Sequence, residues 1–484
     1  MNDRVWMGAL VLLAACGGEN SASPPPGLPG IRIIAGADVT DSASARLTAP
    51  LIVEIHDATG APVRPQTLVR FAVLHDSGGT TVAAFDSETY RSLAVGTTDQ
   101  TGRTGALVQL GRRAGMVHIA VEVPVHGLSD TATYTITPAA LAGVDASPSD
   151  TVLRIGRTMT LRGQARDAYG NVRPDRVTWS VHRAGVTLSD AGDISFTEAG
   201  WYHVQASAAG FTDTIHISAV PHAVLAAHDA NNGRVIAIEL DGSNRQERAQ
   251  VLNGGIGVRP RWLPGTNRIV YSTYNDVIQE LRVVDGSGNS VPFLPTPPST
   301  MSHQADAAPA ADGSWVYFAA YDSRCLTPEY CLFRSRPDGS SIELLGNVAN
   351  PLGISFRPSA SPDGSRVVFT TIKNEAAVLK VMDVDAGTVS SWSIEGLFPQ
   401  WSPLGTRIAY LTPEGALSVV NSDGTGVQKL AQGRAGVSFA SPAWSPDGRY
   451  IIRHSSDGNE LVIVATGEEV PLRHFRDVFD LSWK

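Results

Sequence analysis

A five-residue turn motif recurs through the second half of the chain at intervals of 41 to 51 residues, each copy followed by an alternating apolar run. The copies begin at Trp262, Pro309, Ala360, Trp401 and Trp444, and a further tryptophan stands at Trp483. The runs behind them are Arg268-Ile269-Val270-Tyr271, Trp315-Val316-Tyr317-Phe318, Arg366-Val367-Val368-Phe369, Arg407-Ile408-Ala409-Tyr410 and Tyr450-Ile451-Ile452-Arg453. A second strand and another glycine turn come next, as in Val381-Met382-Asp383-Val384-Asp385-Ala386-Gly387 and Val419-Val420-Asn421-Ser422-Asp423-Gly424. A unit of about 44 residues cannot bury its apolar face alone, so neighbouring units must stack on one another. That requirement narrows the fold more than any other feature of the chain.

The motif residues have structural work first. In Ser-Pro-Asp-Gly the proline fixes φ, the aspartate bonds local backbone N–H groups, and the glycine accepts a positive φ. Asp363 and Asp447 read as turn residues, and so do Asp383 and Asp385, whose D-x-D-x-G spacing lacks the downstream glutamate of a calcium loop. Trp262, Trp401 and Trp444 read as packing between units. Ser-Pro-Asp-Gly followed by an I-x-Y/F strand resembles the TolB-like β-propeller over about 260 residues. The resemblance implies a six-bladed ring over residues 221–484. The last run, residues 478–483, would supply the innermost strand of a blade whose other three come from residues 223–228, 234–240 and 245–252. Such closure removes exposed strand edges.

Ahead of the repeats the chain is also strand-like. Residues 31–138 hold short alternating runs such as Leu51-Ile52-Val53-Glu54-Ile55 and Val117-His118-Ile119-Ala120-Val121, separated by turns such as Asp57-Ala58-Thr59-Gly60. The order resembles the bacterial Ig-like repeats of invasin and intimin. Residues 139–220 resemble a second Ig-like module. In such folds Trp179 would fill the core from a central strand, and Tyr202 would pin a corner through its hydroxyl. The fold class is therefore all-β: two Ig-like β-sandwiches followed by a six-bladed propeller closed by the C-terminal strand.

The first residues read as an address. An apolar run over residues 5–15 is too short for the roughly 20 residues of a membrane-spanning helix but fits a secretory signal peptide. It ends in Leu13-Ala14-Ala15-Cys16, followed by Gly17-Gly18, and resembles a bacterial lipobox in which the Cys16 thiol takes the diacylglycerol. Residues 1–15 are thus expected to be the signal, and residues 16–30 a lipidated cysteine with a Pro-rich tether. Gly17 at the position after the cysteine points by the usual sorting pattern to the outer membrane, facing periplasm or surface.

Net charge is −9, from 38 Lys+Arg and 47 Asp+Glu, with an acidic excess in both halves. That balance argues against a nucleic-acid partner. The chain contains no G-x-S-x-G, H-E-x-x-H, C-x-x-C or G-x-x-x-x-G-K motif, so no catalytic residue or cofactor is expected. His228, His303 with Asp306, and His454 fall near strand ends on one expected face, and three such histidines on an axis could bind a metal. Scattered histidines more often pack or face solvent, and no metal is assigned. Cys325 and Cys331, six apart across a proline-containing loop, fit a local disulfide in an exported protein. The candidate binding surface is the set of loops between each blade's second and third strands. It comprises His228, Asp229, Tyr274, Asp276, Tyr321, Asp322, Arg324, Lys373, Glu375 and Glu414, with His303 and His454 nearby. The expected function is an envelope-anchored scaffold with no enzyme activity. Its propeller would bind a protein or a cell-wall polysaccharide, with the Ig-like modules as spacers. The alternative is a propeller lyase or hydrolase acting on polysaccharide. TolB itself carries an α/β domain before its propeller, where this chain has Ig-like modules.

Overall fold

The computed structural model describes residues 28–74, 78–85, 87, 89–251, 257–274, 278–325, 330–345, 356–373, 376–433, 440–455, 458–475 and 477–484. The signal segment, Cys16, most of the tether, Asp276 and Glu375 lie outside the described residues. The described chain is all-β apart from two single 3-10 turns, Pro124–His126 and Arg473–Phe475. It divides into two compact units. One comprises Met1–Ala146, Gly163–Thr178 and Ala206–Asp213; the other comprises Ser147–Arg162, Trp179–Gln205 and Thr214–Lys484.

The first unit is built on two sheets that share one core. One sheet orders Gly30–Ala35, Leu51–His56, Arg103–Gln109 and Thr81–Ala84. The other orders Val39–Ser42, Leu128–Thr137, Gly115–Val123, Leu68–Leu74 and Leu93–Thr97. Alternation explains the layering: Leu51, Val53 and Ile55 point inward from one sheet, and Val69, Phe71, Ile119, Val121 and Tyr134 from the other. Turn chemistry ends the strands. Asp57 accepts the Thr59 hydroxyl at 2.6 Å and its N–H at 2.8 Å, and Asp99 does the same for Thr101 at 2.7 Å each. These bonds hold both carboxyls below their usual pKa range.

The second unit begins with part of the next β module. Strand Asp150–Arg154 pairs in parallel with the end of Phe211–Val220, and Tyr202 donates its hydroxyl to the Glu198 carbonyl at 3.2 Å. Trp179 corrects its sequence expectation. It stands on the edge strand Thr178–Val181 and is only half-buried, while Ile194, Phe196, Tyr202, Val204 and Ile215 are the buried side chains. The boundary expected at residue 220 is not a physical one. Arg183 grips Glu468 through two bonds of 2.5 and 2.8 Å, the Trp201 N–H reaches the same carboxylate at 2.9 Å, and Ser218 donates to the Pro471 carbonyl at 2.6 Å. Ala199 and Val220 join an apolar cluster with Leu225, Leu461 and Leu472.

From residue 224 onward the described strands form six four-stranded antiparallel sheets. Five are consecutive meanders, opening with Arg261–Trp262, Met301–Pro309, Phe356–Ala360, Leu397–Trp401 and Ala443–Trp444. The remaining one orders Gln246–Gln250, Arg234–Glu239, Val224–Asp229 and Val478–Trp483, so its last member comes from the far end of the sequence. Leu225 is opposite Trp483 and Asp229 opposite Val478. Each neighbouring pair of sheets shares one buried cluster. The series runs from the composite sheet through Tyr271 and Val284, Phe293 and Phe318, Tyr317 and Phe369, Trp401 and Tyr410, and Trp444 and Leu417, and returns through Leu461 and Leu481. The opening strands of consecutive sheets also touch one another, and Val478–Trp483 touches both Ala443–Trp444 and Arg261–Trp262. The motif turns follow the expected chemistry: Gly265, Gly313, Gly364, Gly405 and Gly448 have φ between 68 and 73°. Asp363 and Asp447 accept the hydroxyls of Ser361 and Ser445 at 2.6 Å.

Trp483 is half-buried and donates its indole N–H to the Ala443 carbonyl at 2.9 Å, whereas Leu481 is 4% exposed. Leu481 therefore carries more of the seam's apolar burial. Leu481→Ala should cost about 2–4 kcal/mol. Deleting residues 477–484 should lower the melting temperature much further or cause aggregation, because the edge of Val224–Asp229 loses its partner and two neighbouring opening strands lose a contact. Calorimetry of both variants checks this; a deletion that melts like the parent would show that the seam carries no stability.

Candidate binding face and bore

Apart from His303, on the opening strand Met301–Pro309, the described candidate residues fall at or just beyond the ends of second strands, at the opposite end of those strands from the motif turns. His228 and Asp229 close Val224–Asp229 and are both buried. Asp229 is held by the Arg245 guanidinium, the Asn232 amide at 2.7 Å and the Asn231 N–H at 3.1 Å, so it anchors its own turn. His228 sits opposite Phe479 in the strand register, and the His454 ring packs on Phe479 at 4.6 Å, which brings these two histidines to one strand. Burial keeps both imidazoles below the usual histidine pKa, although Asp480 pulls the other way. His303 lies elsewhere, in the third sheet against Tyr321 at 5.7 Å. Tyr321 packs on Tyr330 at 4.4 Å, and Tyr330 reaches Gln279 of the preceding sheet at 3.5 Å. Tyr274 ends its strand 38% exposed, Lys373 ends Arg366–Lys373, and Glu414 is exposed in the turn after Arg407–Leu411. Among the described residues no group of three or more His, Cys, Asp or Glu side chains is arranged to hold a metal.

Asp322 and Arg324 form a bidentate pair at 2.8 and 2.7 Å, and the Thr300 hydroxyl adds a bond of 3.0 Å. The disulfide between Cys325 and Cys331 follows directly. This places a charged pair and a covalent clamp at the rim of the third sheet, beside the His303–Tyr321–Tyr330 aromatic group.

A second feature lies at the centre of the ring of opening strands. Three residues before each motif stands Arg259, Asp306, Arg357, Phe398, Ser441 or Asp480. Five of these six, Ser441 excepted, have φ between 44 and 59°. For residues with a Cβ that conformation costs on the order of 1–2 kcal/mol each. The strand register slips at the same places, between Ala305 and Ala308, Phe356 and Ser359, and Leu397 and Gln400. Each is a β-bulge, which re-aims a side chain that would otherwise follow the pleat. Arg259, Arg261, Asp306, Arg357, Gln400 and Ser441, from five different sheets, surround one cavity of about 60 Å³. A larger cavity of about 260 Å³ shares Arg261, Ser359 and Gln400 with it and opens among the motif residues Pro362, Pro403, Pro446, Trp401, Trp444 and Trp483. Sequence reasoning noted only Asp306 among the bore residues, as a companion to His303. The signal for Arg259 and Arg357 was the charged position three residues ahead of the motif.

Asp322 supplies a pH test. Its bond to Arg324 is the largest influence and holds the carboxyl at about 2, against about 3.9 when unfolded. The folded state therefore gains stability that is complete above about pH 4 and is lost as pH falls towards 2. Arg324 is nearly half exposed, so solvent screening reduces the gain to about 1–2 kcal/mol. Asp322→Asn should lower stability by that amount at pH 7 and flatten the acid limb below pH 4. Urea melts from pH 2.5 to 7 check this, and parallel acid limbs would refute it.

No family model matches the chain. Two curated relatives align with part of it. A TolB homolog of Chlorobium luteolum is 32% identical over 140 residues, which is 28% of this chain and 30% of the relative. An uncharacterised protein of Agrobacterium fabrum is 33% identical over 114 residues, 21% of this chain and 36% of the relative. The chain thus spans about a third of the length of the curated relatives it matches. Among solved structures, TolB of Acinetobacter baumannii aligns with 64% of this chain and 82% of its own, at 13% identity and a TM-score of 0.45. The sequence similarity supports a TolB-like propeller fold for this all-β chain.

Proposed function

We propose that this protein is an envelope-anchored binding lipoprotein. Its head is a six-bladed propeller closed by the C-terminal strand, and Ig-like modules stand between the head and a lipidated Cys16. The head recognises a protein or a cell-wall polysaccharide through its face and bore, and the protein is not an enzyme. The observation that carries this reading is the bore itself: charged side chains from different sheets converge on one cavity that widens into a mouth of about 260 Å³. Polar groups converging in a concave site built on rigid strands are the chemistry of recognition. The aromatic group of His303, Tyr321 and Tyr330, beside the Asp322–Arg324 pair, supports a second contact on the loop face. The lipobox and Pro-rich tether support placement in the bacterial envelope, at the outer membrane. The bonds from Arg183, Trp201 and Ser218 to Glu468 and Pro471 support a second module that is fixed to the head and shares its stability.

Three measurements test the reading. Cys16→Ser should move the protein from the membrane fraction to the soluble periplasm or leave its signal uncleaved; an unchanged, processed membrane form would remove the anchor. Crosslinked pull-down from the native envelope should recover one saturable partner with the full chain. The purified protein should release no unsaturated sugars from cell-wall or capsular polysaccharide. Release of such sugars would replace the binding reading with that of a lyase.

A further inference from the structure

Among the described residues the bore carries more cations than carboxylates. Arg259 is ion-paired with Asp306. Arg357, only 4% exposed, lies over the Phe398 ring at 3.7 Å and reaches the Ser441 hydroxyl at 3.3 Å, and its Nε has no partner. Arg261 bonds the backbone carbonyls of Pro260 at 3.0 Å and Asp480 at 3.5 Å. Among the described residues neither Arg261 nor Arg357 has a carboxylate within ion-pairing distance. The carboxylates at this level are Asp306, already engaged by Arg259, and Asp480, which is 7% exposed and has an unpartnered Oδ1. Residues 252–256 and 346–355, which precede two of the opening strands in sequence, contain no acidic residue. Among the described residues three guanidinium groups therefore face two carboxylates.

We propose that the bore binds an anionic group, a carboxylate or a phosphate, between Arg261 and Arg357. The proposal rests on the reading of the head as a binding ring and names the chemistry its bore takes. Burial pushes Arg357 down to about 10, and burial together with the nearby Arg357 charge pushes Arg259 down to about 9. Both values leave the groups charged at neutral pH, so the excess charge is relieved by a counter-anion and not by loss of a proton. A guanidinium presents a planar fork that matches carboxylate and phosphate oxygens, and the stacking of Arg357 on Phe398 fixes its plane. The way in is the wider cavity among the motif turns, which shares Arg261 with the inner one. Asp480 and Asp306 set the limit: they repel a second anion, so one group is accepted.

The test uses the full chain carrying Cys16→Ser. Thermal melts and calorimetric titrations are run with sodium phosphate and with sodium acetate, each against sodium chloride at matched ionic strength. The parent should show a saturable rise in melting temperature with at least one of the two anions, and the arm that responds identifies the group. Arg261→Gln and Arg357→Met should each weaken the apparent affinity at least tenfold, while Arg449→Gln, outside the bore, should leave it unchanged. Arg357→Met should in addition melt no lower than the parent in chloride, because it removes an unpaired buried charge. Should either variant fail to fold, the parent titration still decides the matter. A parent that responds to neither anion beyond chloride overturns the proposal, as does a response that Arg261→Gln and Arg357→Met retain. Anion binding with no envelope partner in the pull-down would sink the functional reading and leave the site standing; a partner with no anion response would do the reverse.

Discussion

The antiparallel pairing of Val478–Trp483 with Val224–Asp229 is the constraint on which the second unit depends. It joins residues about 250 positions apart, and loop closure over that length carries a large entropic cost before any contact rewards it. What offsets the cost is distributed. Leu225, Ala227 and Ile238 meet Ile452, Leu461 and Leu472 across the seam, and Ala226 and Val235 meet Tyr271 on the other side. Without the last strand the composite sheet would expose the edge of Val224–Asp229, and Ala443–Trp444 and Arg261–Trp262 would each lose a neighbour. The six inter-sheet clusters are therefore not independent: each is held at its spacing by the closure of the others.

Closure also dictates the bore. Opening strands that crowd around a common centre cannot all keep their pleat, and the relief is a bulge at one repeated position, with a positive φ at Arg259, Asp306, Arg357, Phe398 and Asp480. None of the five is glycine, which would take that conformation most easily. Four of the five are charged. A strained backbone that presents buried charges is a costly arrangement to maintain for stability alone.

Much of this was legible in the sequence, and the limits have physical causes. The motif turns and the strands behind them were readable because turn chemistry and alternation are local; Asp363 and Asp447 do what their spacing implied. The seam was readable because the repeat left three strands at one end and one at the other. Trp179 misled because local pattern does not distinguish an edge strand from a central one. Asp229 and Asp322 looked like residues offered to a partner, yet both are bound by nearby arginines, since a carboxylate that caps a turn and one that faces a ligand have the same sequence signature. A boundary was expected at residue 220 because no charge run or apolar segment marks the bonds that Arg183 and Ser218 make to residues 468 and 471.

Those bonds change what the second module can be. Arg183, Trp201 and Ser218 tie it to Glu468 and Pro471, at the last strand of the sheet that opens with Ala443–Trp444 and packs on the composite sheet, and Ala199 and Val220 belong to the cluster that holds Leu461 and Leu481. Arg154 adds a bond of 2.6 Å to Glu239 of the composite sheet, and Arg473 one of 2.6 Å to Asp150. A module attached by a flexible linker would leave the seam to close on its own. Here the chain entering the ring is packed against the place where the ring shuts, so ordering Phe211–Val220 also fixes the start of Val224–Asp229. The entropy of bringing the two ends together is then reduced by a neighbour already in place. The module is part of the device that closes the ring.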